Sequence, residues 1–120
     1  MDELDPVFQT VASYFAVLSE PTRLKIMHTL CQGERSVSEI IAETGATQTN
    51  VSRHLGLMHR HGLLARRKQG TQVHYSVADE TMVELCRSVC TRIAGTIEAR
   101  RPLKRQLLKL IPPAQKKRAA

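Results

Sequence analysis

Apolar residues recur with helical spacing along most of the chain, and the breaks between these stretches carry capping and turn residues. From Pro6 to Leu18 the apolar positions Val7, Val11, Tyr14, Phe15 and Leu18 mark one face of a helix. Ser19 reads as the cap of a second helix, with Pro21 near its start, and this helix runs to about Cys31 through Leu24, Ile26, Met27 and Leu30 before Gly33. Ser36 followed three residues later by Glu39 is a capping box, and it opens a short helix that Gly45 stops near Thr44. Thr47 caps the next helix, whose apolar stripe is Val51, Leu55 and Met58 and which ends at Gly62. Its opposite face offers Gln48, Thr49, Asn50, Ser52, Arg53, His54 and His59.

After these helices the period changes. LLARRKQGTQVHYSV holds two strand-like runs around Gln69-Gly70-Thr71, which predicts a hairpin. Asp79 then caps a long helix with Met82, Leu85, Cys86, Val89, Cys90, Ile93 and Ile97 on one face. Pro102 interrupts it, and Leu103 to Ile111 reads as a further short helix. Four helices, a hairpin and a long helix predict a mainly α fold with a small β-hairpin wing, a winged helix-turn-helix flanked by helices. The expected domain covers residues 1–111, with a basic, disordered tail over 112–120.

The 120 residues fit one domain, and 42% hydrophobic with 24% charged is ordinary globular composition. No apolar run is long enough for a membrane helix, and the acidic start MDELDPVF is unlike a secretory signal. Three cysteines, Cys31, Cys86 and Cys90, then read as reduced thiols of a cytoplasmic protein rather than a disulfide framework. Trp is absent and Phe8, Tyr14, Phe15 and Tyr75 are the only aromatics, which argues against base-stacking RNA modules.

Charge is more informative. The formal net charge is +7, but residues 1–43 carry −4 and residues 79–98 carry −2. Residues 44–78 contain no acid and five bases, Arg53, Arg60, Arg66, Arg67 and Lys68, and the stretch from Ala99 onward carries +8. An acid-free basic stretch inside the folded part suits a polyphosphate partner, because a carboxylate there would repel the backbone. Double-stranded DNA is therefore the expected partner. Gln48, Thr49, Asn50, Ser52, Arg53 and His54 are placed to reach base edges or phosphates, and Arg66, Arg67 and Lys68 in the wing are expected at phosphates or the minor groove. An enzyme is disfavoured: the sequence has no phosphate-cradling glycine motif, no nucleophile with a spaced base and no carboxylate pair at a readable cleft.

Two stretches, LSEPTRLKIMHTL and QTNVSRHLGLMHRHGLLARRKQGTQVHYSV, resemble the second helix and the recognition helix with wing of the ArsR/SmtB group of dimeric bacterial repressors. The similarity covers roughly residues 8–98. It implies a homodimer held by the first and last helices, operator binding without a signal, and release when an inducer binds.

The metal sites of that family do not carry over. Where many members have Leu-Cys-Val-Cys-Asp-Leu, this chain has Arg35-Ser36-Val37-Ser38-Glu39-Ile40, and a hydroxyl does not replace a thiolate toward a soft ion. The last helix has no His, and no cysteine lies between Cys31 and Cys86. A thiol-sensing subset of the family pairs a cysteine of the second helix with one of the last. Its first cysteine matches His28 here, with Cys31 one turn further on. The resemblance thus implies sensing by Cys31, Cys86 and Cys90, either as a disulfide or polysulfide switch or as three thiolates binding arsenite, antimonite or another soft ion. No cofactor is required. Cysteines that only pack, in a DNA-binding regulator with no small-molecule input, are the alternative, since Cys86 and Cys90 lie in an apolar stripe. His54, His59, His61 and His74 match no zinc spacing.

Overall fold

A computed structural model describes residues 2–96 and 101–113. They fall into two compact units, Met1–Ala78 and Asp79–Ala120.

The first unit contains α1 (Asp5–Leu18), α2 (Pro21–Cys31), β1 (Arg35–Ser36), α3 (Val37–Thr44), α4 (Gln48–Arg60), β2 (Leu64–Gln69) and β3 (Gln72–Val77). α2 packs against α3, α4 and β3, and α4 also touches α3 and β2. The core of this unit is aliphatic: Ile26, Met27 and Leu30 from α2 meet Ile40, Val51, Leu55, Met58 and Leu63, with Leu64, Tyr75 and Val77 from the hairpin. Their burial drives the fold, since each aliphatic side chain removed from water contributes roughly 1.5–3 kcal/mol. α1 differs. Val17 is its buried residue, while Leu4 just before it and Val7, Phe8, Val11 and Phe15 within it are exposed.

Caps set the helix bounds. α2 is capped by Glu20, whose carboxylate accepts from the Arg23 amide at 2.9 Å, and not by Ser19 as the sequence suggests. The Ser19 hydroxyl instead donates back to the Ala16 carbonyl at 2.8 Å and closes α1. The capping box is present: the Ser36 hydroxyl accepts from the Glu39 amide at 3.2 Å, and the Ser36 amide donates to the Glu39 carboxylate at 2.9 Å. α3 ends at Gly45 with φ +73°, a left-handed conformation that glycine reaches without strain. Thr47 caps α4 by accepting from the Asn50 amide at 3.2 Å.

The wing has one strand more than the hairpin predicts. The antiparallel sheet runs β1-β3-β2, with Leu64 opposite Val77 and Gln69 opposite Gln72 across a turn at Gly70 (φ +63°) and Thr71. β1 adds Arg35 opposite Tyr75 and Ser36 opposite His74. The fold is thus a mainly helical winged helix-turn-helix with a three-stranded wing.

The second unit contains α5 (Glu80–Thr96) and α6 (Arg101–Leu110), which contact each other. Asp79 caps α5 as expected, accepting from the Thr81 and Met82 amides at 3.0 and 3.3 Å. Met82, Val83 and Ala94 are buried, and Val89 and Ile93 are exposed. α6 begins just before Pro102, in the first turn where a missing N–H costs no helical bond. Ile97, and the tail expected over 112–120 beyond Pro113, lie outside the described residues.

Candidate nucleic-acid interface

The apolar stripe of α4 fixes which side of the helix is outward. Val51, Leu55 and Met58 are at most 1% exposed, so the positions between them in the first turns face away from the core. Gln48, Thr49, Asn50, Ser52 and Arg53 are all exposed. The Arg53 guanidinium reaches the Asn50 side-chain oxygen at 3.4 Å, a long contact that leaves it most of its donors. These five residues form a polar outer face at the start of a helix that carries no acid.

His54 does not belong to that face. It is 5% exposed and turned inward, unlike the other α4 residues expected at DNA. Its Nδ1 lies 3.1 Å from the Arg23 guanidinium and its Nε2 3.5 Å from the Glu20 carboxylate. Burial, the nearby Glu20 carboxylate acting against it, and the Arg53 and Arg23 charges together lower the His54 pKa from its ordinary value. The Glu20 carboxyl is also lowered. Burial opposes the shift, but the Arg23 and Thr22 amides and the His54 and Arg23 charges outweigh it. Arg23 in turn donates to the last carbonyls of α1, Val17 at 2.6 Å and Ala16 at 3.2 Å.

In the wing, Arg66, Arg67 and Lys68 are exposed, and strand alternation puts Arg67 on the side opposite the other two. Arg67 is engaged within the chain: Nη2 and Nε lie 2.6 and 2.9 Å from the two Glu34 oxygens, and Nη1 donates to Gln69 at 3.0 Å. The bidentate bond from Arg67 lowers the Glu34 carboxyl and raises the Arg67 guanidinium.

Sequence pattern missed Glu20, Arg23 and Glu34, because each acts on a side chain more than thirty positions away.

Cys31 is the last residue of α2, and Cys86 and Cys90 lie one turn apart on α5; all three are half-buried. Burial pushes the Cys90 thiol up, which keeps it protonated near neutral pH. The Arg87 guanidinium, one residue from Cys86, is bound to Glu84 at 3.5 Å and to the Pro113 carbonyl. Among the described residues no group of three or more His, Cys, Asp or Glu is placed to hold a metal ion. No helix among them is long and apolar enough to cross a membrane.

Residues 20–66 match the family model described as bacterial regulatory protein, arsR family. The chain is 33% identical over 95 residues to Rv0081, an uncharacterized HTH-type transcriptional regulator of Mycobacterium tuberculosis, spanning 76% of this chain and 83% of that one. The crystal structure of Rv0081 superposes with a TM-score of 0.72 at 30% identity, over 80% of this chain and 97% of the other. The probable mercury resistance operon repressor of Streptomyces lividans is 34% identical over 104 residues, with 76% and 83% of the two chains covered. A homodimeric winged helix-turn-helix DNA-binding domain from Mycobacterium bovis, solved in solution, superposes with a TM-score of 0.72 at 30% identity, covering 82% and 92%.

Proposed function

The chain belongs to the arsR family of bacterial regulatory proteins, DNA-binding transcriptional repressors and not enzymes, and from that premise we propose how it reads DNA and what releases it. Two copies bind a palindromic operator. Gln48, Thr49, Asn50, Ser52 and Arg53 of each α4 enter the major groove, and Arg66, Arg67 and Lys68 of each wing meet the flanking backbone or minor groove. The observation that carries this reading is the outer face of α4: five exposed polar or basic residues, in a stretch of residues 44–78 that contains no acid. The exposed apolar residues of α1 and the homodimeric Mycobacterium bovis domain support the dimer.

The signal acts on thiols. Cys31 and the pair Cys86 and Cys90 are half-buried rather than sealed, and a relative bears the name of a mercury resistance operon repressor, mercury being a thiol-seeking ion. A bridge among these thiols, or their joint coordination of a soft ion such as arsenite, shifts the population away from the spacing of recognition helices that fits the operator. One observation favours a second reading. The raised Cys90 thiol behaves as a packed side chain, as in a regulator whose cysteines are structural and which takes no small-molecule input.

Gel-shift binding to the DNA upstream of the protein's own gene decides between them. Reduced protein binds, with affinity that falls steeply with salt. Release by polysulfide with a mass change linking two cysteines establishes the bridge, and release by arsenite without a covalent link establishes coordination. Cys31→Ser and Cys86→Ser keep binding and lose release. Binding that neither reagent disturbs makes the cysteines structural.

A further inference from the structure

His54 is the polar side chain of α4 that faces inward, and its partners are unusual for a buried imidazole. A guanidinium has only donors, so the 3.1 Å contact with Arg23 requires a lone pair on Nδ1. The ring proton then sits on Nε2, which faces the Glu20 carboxylate at 3.5 Å. The same Glu20 oxygen holds the Arg23 amide at 2.9 Å, and Arg23 holds the Val17 and Ala16 carbonyls at 2.6 and 3.2 Å. One hydrogen-bonded path therefore joins α4 to the end of α1 and the start of α2.

We propose that His54 is a positioning residue for DNA recognition: as a neutral ring clasped between Arg23 and Glu20 it fixes the angle at which α4 is presented, and a proton on Nδ1 opens the clasp. The proposal rests on α4 being the helix that reads DNA. A proton on Nδ1 removes the acceptor that Arg23 uses and sets a second cation against the guanidinium. The groups facing His54 are Arg23 and Glu20 from the α2 side and Arg53 from α4 itself. Two of the three are cations, and burial acts in the same direction, so the ring is neutral at pH 7. The linkage follows in sign. The unfolded chain takes up this proton near the ordinary value of 6.5, which the folded chain resists, so the clasp's contribution is present above 6.5 and is lost as pH falls through the folded pKa.

The test compares the full-length wild type with His54→Gln and His54→Leu on the DNA upstream of its own gene, from pH 8 to 5.5. Glutamine accepts from Arg23 and donates to Glu20 without titrating, whereas leucine does neither. His54→Gln keeps wild-type affinity at pH 7.5, and His54→Leu loses at least tenfold. As pH falls below 6.5 and through the lowered pKa of the folded ring, the wild type weakens relative to His54→Gln, by up to tenfold per pH unit once the ring titrates. The other histidines are the same in both proteins, so the ratio isolates position 54. Circular dichroism at each pH confirms that the protein compared is folded. Independently, 15N spectra of the wild-type histidines at pH 7 show His54 as the Nε2–H tautomer.

A constant affinity ratio across the range, or a ring carrying a proton on Nδ1 at pH 7, overturns the clasp. Unchanged binding on Arg53→Ala, or a wild type that binds no DNA, overturns the reading of α4 and the clasp with it.

Discussion

Arg53 and Arg67 carry the same charge, yet their surroundings make them different reagents toward a phosphate. Arg53 holds one long contact to Asn50 and turns the rest of its donors to solvent, whereas Arg67 already grips both oxygens of Glu34. A phosphate that recruits Arg67 has to displace a carboxylate first. Glu34→Gln is therefore expected to tighten operator and random DNA alike, by at most about fivefold, because exposed ion pairs hold weakly. The slope of log affinity against log salt steepens by up to about 0.9, one counterion more. Fluorescence anisotropy across a salt series reads both, and an unchanged slope shows that Arg67 makes no phosphate contact. Neither this pair nor the His54 clasp was legible in the sequence. Periodicity reports which face a residue occupies only when its neighbours share that face, and these partners lie 33 and 31 positions away. What was legible was local: the exposed starts of α4, the acid-free stretch and the capping residues.

At the scale of elements, helices announced themselves where caps and apolar stripes agreed. α3 and α4 begin after Ser36 and Thr47, and α3 stops before Gly45, because those side chains and that glycine satisfy or release backbone groups within a few residues. β1 was invisible for the converse reason. Two residues have no period, and only pairing with β3 makes them a strand. Ser19 reads as the cap because serine is a preferred capping residue, whereas Glu20 is the extended residue at the entrance to α2 and its carboxylate takes the Arg23 amide. Gly45 allows a clean test at this scale. A methyl group there meets nothing within 4 Å, so Gly45→Ala reports the left-handed backbone alone. It should cost about 1–2 kcal/mol, measured as a lower midpoint in urea with an unchanged m-value. A change in m would mean that the α3–α4 turn had rearranged instead.

At the scale of the whole molecule, the exposed row Leu4, Val7, Phe8, Val11 and Phe15 is large for a small soluble unit, with Phe8 64% exposed and Phe15 54%. Such a row marks an interface. Phe8→Glu with Phe15→Glu places two carboxylates in it without touching the core. Sedimentation velocity at micromolar concentration should show the mutant as a monomer. Operator affinity should fall by about a hundredfold, since two linked heads become two separate ones. A mutant that sediments as the wild type does would place the interface elsewhere.

Ser36 adds a consequence at the same scale. It ends β1 opposite His74 and, through the same few atoms, caps α3, and it is only 6% exposed. Sheet and helix-turn-helix thus share this buried residue, in addition to the packing of α2 on β3 and of α4 on β2. Release from DNA is therefore expected to move wing and helix-turn-helix together, as one jaw. The amides of Ser36 and Glu39 would then exchange with solvent equally slowly in the bound and the released protein.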